Sequence, residues 1–125
     1  MSNVPDNLKY TKKHEWARIE GNHVIVGITD HAQEELTDIV YIELPKMGAE
    51  VKAGDAIATV ESVKSTSDVY SPVSGKVVKV NSALENSPGD INADAYGKGW
   101  LAVIESKDTK SALLISAAEY KTLLG

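Results

Sequence analysis

The chain has 125 residues, 42% of them hydrophobic and 25% charged, with a formal charge of -5 and neither cysteine nor phenylalanine. That length fits one domain, and a chain of this size buries roughly 65–70% of its unfolded surface. Lacking cysteine, the protein itself has no disulfide, thiolate metal site or cysteine nucleophile. Its lysines are scattered among acids, which argues against nucleic acid as a partner.

The first ten residues carry Asp6 and Lys9 and no apolar run, so neither a secretory signal nor a transit peptide is expected. No stretch approaches the roughly 20 apolar residues of a membrane span. The expected setting is the bacterial cytoplasm, and a mature organelle-matrix protein would read the same way.

Trp16–Glu20 and His23–Ile28 alternate apolar and polar residues across Gly21-Asn22, predicting a β-hairpin. Asp30 followed by Gln33 has capping-box spacing and predicts a short helix starting at Asp30. Ile39–Leu44 reads as a buried strand stopped by Pro45 and the Met47-Gly48 turn. Ala56–Ser62, Asp68–Ser71 and Lys76–Val80 follow as strands, punctuated by turns at Ala53-Gly54-Asp55 and Pro72–Gly75. Ser82 with Glu85 predicts a one-turn helix ended by Pro88-Gly89, and Leu101–Glu105 a last strand. Ser116 with Glu119 opens a terminal helix over about 116–124, with Ile115 and Tyr120 at staple spacing. Short strands with frequent turns predict a mainly β sandwich or barrel with peripheral helices.

Most familiar chemistry is missing. His14, His23 and His31 match no common ligand spacing, so no metal site is expected. There is no phosphate-binding loop, and Gly97-Lys98-Gly99 is too short for one. Ser74 before Gly75 is a turn residue, since no nucleophile elbow surrounds it.

One lysine stands out by position. Lys64 lies ten residues after Gly54 and eleven before Gly75. The chain must reverse between Ser62 and Asp68, which puts Lys64 at or beside a solvent-facing hairpin tip over about 56–75. A lone exposed lysine is ordinarily a solubilising charge. A Schiff-base lysine needs burial, and the neighbours Glu61, Ser62 and Ser65 do not supply it. Such a tip favours a carrier lysine: the stem is flexible, and acylation removes the charge so that the arm can enter an apolar site.

The run Val60-Glu61-Ser62-Val63-Lys64-Ser65-Thr66-Ser67-Asp68-Val69-Tyr70-Ser71-Pro72-Val73-Ser74-Gly75 closely resembles the lipoyl-attachment signature of the glycine cleavage system H protein family. Lys9-Tyr10, His14-Glu15-Trp16, Gly27–Gln33, Val80-Asn81, Tyr96-Gly97 and Gly99-Trp100-Leu101 resemble further landmarks in the expected order. The likeness runs from about Lys9 to the terminal helix.

The resemblance implies one domain over residues 1–125, a flattened β-barrel of the lipoyl-domain type, with lipoate amide-linked to Lys64. It implies a non-catalytic carrier, expected to be a monomer, that accepts the aminomethyl group of glycine from a pyridoxal-phosphate-dependent glycine decarboxylase. An aminomethyltransferase then passes that carbon to tetrahydrofolate, and a dihydrolipoyl dehydrogenase reoxidises the arm. Lipoyl-attaching enzymes are implied as well.

By the same resemblance, Glu15 and Asp68 help to hold the loaded arm in a surface cleft, a carboxylate being the natural partner of its terminal amine. Two positions depart from the family pattern. Lys13 stands where some relatives carry serine, and its cation is expected to weaken the hold of Glu15. Thr37 replaces a common glycine after the helix, expected to be a local turn variation. The alternatives are a biotin carrier, a relay of lipoyl groups to 2-oxoacid dehydrogenase complexes, and an unmodified binding module. Biotin is disfavoured because Val63 and Ser65, not methionines, flank Lys64.

Overall fold

The computed structural model describes residues 2–125. Nine strands form among these residues: β1 (Lys9–Tyr10), β2 (Glu15–Glu20), β3 (His23–Ile28), β4 (Ile39–Glu43), β5 (Glu50–Val51), β6 (Ala56–Ser62), β7 (Thr66–Tyr70), β8 (Gly75–Val80) and β9 (Ala102–Glu105). Helix α1 (Asp30–Leu36) precedes β4; a 3-10 turn (Ser82–Glu85) and α2 (Asp90–Ala93) precede β9; α3 (Ala117–Leu124) ends the chain. No helix among the described residues is long and apolar enough to cross a membrane.

All pairings are antiparallel, in a six-stranded sheet ordered β1-β2-β3-β9-β8-β5 and a three-stranded sheet ordered β4-β6-β7. Alternation explains how they face one another. Ala17, Val24, Val26, Val77 and Ile104 of the large sheet pack with Ile57 of β6, while Ile42, Val60 and Val69 of the small sheet pack with Leu84, Ile91 and Leu101. The mainly β architecture with short peripheral helices is as the sequence predicts.

The opposite face of the large sheet is sealed by aromatics beneath α3. Trp16 lies flat across its cross-strand neighbour Gly27, where an added Cβ would fall 2.5 Å from the indole. Only glycine leaves that space. The indole Nε1 donates to the Ala95 carbonyl at 3.0 Å, and Tyr10 stacks on Tyr120 with ring centroids 4.6 Å apart. The Ser116–Glu119 capping box is present, and Ile115 and Tyr120 share the cluster that α3 covers.

Several local expectations change. Thr29, not Asp30, caps α1: its hydroxyl accepts from Ala32 N, while Asp30 is already helical and accepts from Gln33 Nε2. Strand β4 is not buried throughout, because a bulge between Ile39 and Tyr41 turns Val40 and Tyr41 outward, 55% and 50% exposed. Ser82 makes no cap; Asn81 precedes the 3-10 turn, and its amide bonds the carbonyls of Lys98 and Trp100. Gly89 does not merely end a helix but leads into α2, too short a helix for periodicity to mark. The two-residue strands β1 and β5 are likewise below the length at which alternation is readable.

Candidate functional site

The β6–β7 hairpin is in register as Thr59 to Asp68, Val60 to Ser67 and Glu61 to Thr66. The reversal therefore uses Ser62, Val63, Lys64 and Ser65, and β7 begins two residues earlier than the sequence predicts. Ser62 explains this economy. Its backbone N–H donates to the Ser65 carbonyl at 2.8 Å, and its Oγ accepts from Lys64 N at 3.1 Å and Ser65 N at 3.0 Å. Val63 N donates to the Asp38 carbonyl at 3.0 Å, fixing the tip to the entry of β4.

On this braced turn Val63, Lys64 and Ser65 are exposed, as is Glu61 just before it. Lys64 does not project freely. Its Nζ donates to the Glu35 carbonyl at 3.2 Å, at the C-terminal turn of α1 where unpaired carbonyls attract a cation. That contact is exposed and weak enough to exchange with water.

A second loop, Thr11 to Glu15, builds a cleft. Thr11 Oγ1 accepts from Lys13 N at 3.3 Å and Glu15 N at 3.2 Å, and donates to Glu15 Oε1. His14 completes the loop in the left-handed region at φ 70°, with its ring hydrogen-bonded to Tyr120 Oη at 2.8 Å. The other carboxylate oxygen, Glu15 Oε2, accepts from Tyr70 N at 3.1 Å. Glu15 is thus a buried acid, 3% exposed, tied to both its own loop and β7. Burial pushes its pKa above the usual glutamate value, an effect partly offset by the Thr11 hydroxyl, the Tyr70 N–H and the charge of Lys13.

Glu15 helps to line a cavity of about 320 Å³ together with Thr11, Lys13, Tyr70, Leu113 and Ile115. Lys13 places its Nζ 4.0 Å from the centroid of the Tyr70 ring.

The structure therefore separates the expected residues into two places joined by β7. Lys64 with Glu61, Ser62, Val63 and Ser65 makes the tip, and Glu15 belongs to the cleft. Asp68 lies between them, exposed, accepting from Thr59 Oγ1 at 3.3 Å and outside the cleft walls. It is four residues along from Lys64, at most roughly 13 Å at about 3.3 Å per residue. Asp68 and Tyr70 share a face of β7, so the strand forms a rail from tip to cleft. Thr11 and Tyr70 escaped the sequence reading. Strand alternation from Asp68 points to Tyr70, whereas nothing in the sequence signals Thr11, whose role depends on a left-handed loop.

A lysine on a braced hairpin of a two-sheet β body defines a lipoyl-domain type of fold. The family model described as glycine cleavage H-protein matches residues 8–125, and the chain belongs to that family. The glycine cleavage system H protein of Stenotrophomonas maltophilia K279a is 64% identical over 106 residues, covering 84% of this chain and 81% of that protein. The corresponding protein of Coprothermobacter proteolyticus is 58% identical, covering 98% of both chains. A crystal structure of a glycine cleavage system H protein from Mycobacterium marinum superposes with a TM-score of 0.91 at 39% identity, covering 98% of this chain and 99% of that one.

Proposed function

We propose that this protein is the lipoylated, non-catalytic carrier of glycine cleavage, one domain over residues 1–125, working in the bacterial cytoplasm. Its partners are the glycine decarboxylase, the aminomethyltransferase, the dihydrolipoyl dehydrogenase and the enzymes that attach lipoate. When bound as an amide to Lys64, lipoate supplies a dithiolane that takes up electrons together with the aminomethyl carbon of glycine.

The observation that carries this reading is the tip itself. Lys64 is exposed between small or aliphatic neighbours, so an attaching enzyme has only the exposed Glu35 carbonyl contact to displace at Nζ. Ser62 holds the Lys64 and Ser65 amides, which fixes the base of the arm while four methylenes leave its end mobile. A rigid base presents the amine in one direction, and the flexible stem supplies the reach.

The cleft residues have the complementary task. Glu15 offers a carboxylate whose oxygens are positioned before any ligand arrives, in a recess walled by Leu113 and Ile115. An amine-terminated arm gains charge pairing there, and the apolar walls exclude water that would hydrolyse its cargo. Asp68 is proposed to guide the arm along β7 between the two places.

Intact-mass measurement of protein from its native host tests attachment. One lipoyl amide is expected, absent from Lys64→Ala; unmodified native protein would overturn the carrier reading.

A further inference from the structure

We propose that Lys13 is a resident cation of the Glu15 cleft, occupying from within the chain the subsite that an alkylammonium group would take. The inference rests on the arm-docking reading above and adds a competitor to it. Lys13 then limits how long the amine-ended arm stays docked, and so acts as a positioning residue for its handover.

Three observations converge on this assignment. The Lys13 Nζ sits 4.0 Å from the Tyr70 ring centroid, within the range in which an aromatic face attracts a cation. The same Tyr70 gives its backbone N–H to Glu15 Oε2, so the platform and the buried carboxylate are one unit. Lys13, Tyr70 and Glu15 all line the single 320 Å³ cleft, as do Leu113 and Ile115. An aromatic face beside a buried carboxylate, with apolar walls, is the chemistry that recognises a primary alkylammonium.

Lys13 is suited to be displaced. It is exposed, and among the described residues its ammonium has no carboxylate within ion-pair distance. Its hold on the site is therefore the Tyr70 face and the more distant charge of Glu15. Being tethered two residues from Glu15, it returns whenever the site empties, at a high effective concentration. A second cation entering the cleft must move Lys13 aside, because two ammonium groups cannot share one aromatic face.

The test uses the whole, unmodified protein with methylammonium chloride as probe and sodium chloride as the ionic-strength control. In wild type the Lys13 ε-methylene protons are expected upfield of an unstructured lysine, shifted by the Tyr70 ring. Saturating methylammonium, and not sodium, returns them to the unstructured position. Lys13→Gln binds the probe about 2- to 5-fold more tightly, the range that losing an exposed cation–π contact sets, and Tyr70→Leu loses the binding. Equal or weaker binding by Lys13→Gln, or no saturable binding by either protein, overturns the proposal.

Repeating the lysine measurement on lipoylated protein carrying the aminomethyl group separates the two readings. Release of Lys13 from Tyr70 on loading supports both. Methylammonium competition intact, with Lys13 unmoved on loading and cargo lost equally fast from wild type and Glu15→Ala, upholds the resident cation and sinks docking of the arm. Slow, Glu15-dependent loss of cargo with Lys13 still on Tyr70 retains the docking and overturns the competition.

Discussion

The hairpin tip and the Glu15 loop are built by the same device and end in opposite states. In each, one hydroxyl accepts from two backbone N–H groups: Ser62 from Lys64 and Ser65, Thr11 from Lys13 and Glu15. At the tip the residue so positioned is an exposed lysine whose ammonium donates to a helix-end carbonyl. In the other loop it is a carboxylate that is 3% exposed and held from both sides. The bracing is common; the solvent differs. On the proposed reading, a handle needs water and freedom, whereas a docking acid needs a dry, preset geometry.

Removing the handle has the largest expected effect. Lys64→Ala and Lys64→Arg both abolish modification and carrier activity, while urea unfolding shows stability within about 0.5 kcal/mol of wild type. A large loss of stability would mean that the tip lysine is structural.

The buried acid behaves differently. Glu15→Ala strips Thr11 and the Tyr70 N–H of their acceptor, so a loss of about 2 kcal/mol is expected by urea unfolding. Aminomethyl cargo should also leave the loaded variant faster; an unchanged rate would remove Glu15 from the docking role.

Its titration offers a finer check. Burial raises the Glu15 pKa above 4.5, so just above that pH the folded state holds a proton that the unfolded chain has released. The contribution is fully present below 4.5 and is lost as pH rises through the native value. Stability of wild type relative to Glu15→Gln should therefore fall as pH rises from about 4.5; a flat difference would contradict a desolvated acid.

Smaller effects probe the support of the tip. Ser62→Ala leaves the Ser62–Ser65 backbone bond but removes the shared acceptor, at an expected cost of about 1–2 kcal/mol. Faster amide exchange at Lys64 and Ser65, with slower lipoylation, would mark the lost bracing. Thr37 stands at φ 62° and ψ −149°, a backbone region that suits glycine, directly before the Asp38 carbonyl that anchors Val63. Thr37→Gly is expected to stabilise by about 1 kcal/mol, strain relief outweighing the added freedom of the unfolded chain. A loss in melting temperature would show that the threonine's context has absorbed the strain.

How much of this was readable in the sequence follows from the range of each signal. Alternation marked β3 and β6, the capping box marked α3, and the crowding of turns around Lys64 marked its hairpin. The exposed half of β4 was hidden because its bulge breaks period two. Thr29 was masked as the α1 cap by Asp30, another capping residue one place later. At the site, the tip residues are contiguous and could be read together. The cleft is assembled from Thr11, Glu15, Tyr70 and the segment before α3, which only the fold brings together. Lys13 appeared in the sequence as an oddity beside an acid; its partner proves to be the face of Tyr70.

Glycine–bicarbonate exchange by the glycine decarboxylase, supplemented with this protein in lipoylated and unlipoylated forms, tests the carrier role most directly. The lipoylated wild type should support exchange, while unlipoylated protein and Lys64→Arg should not. Exchange that proceeds equally without lipoate on Lys64 would contradict the shuttle.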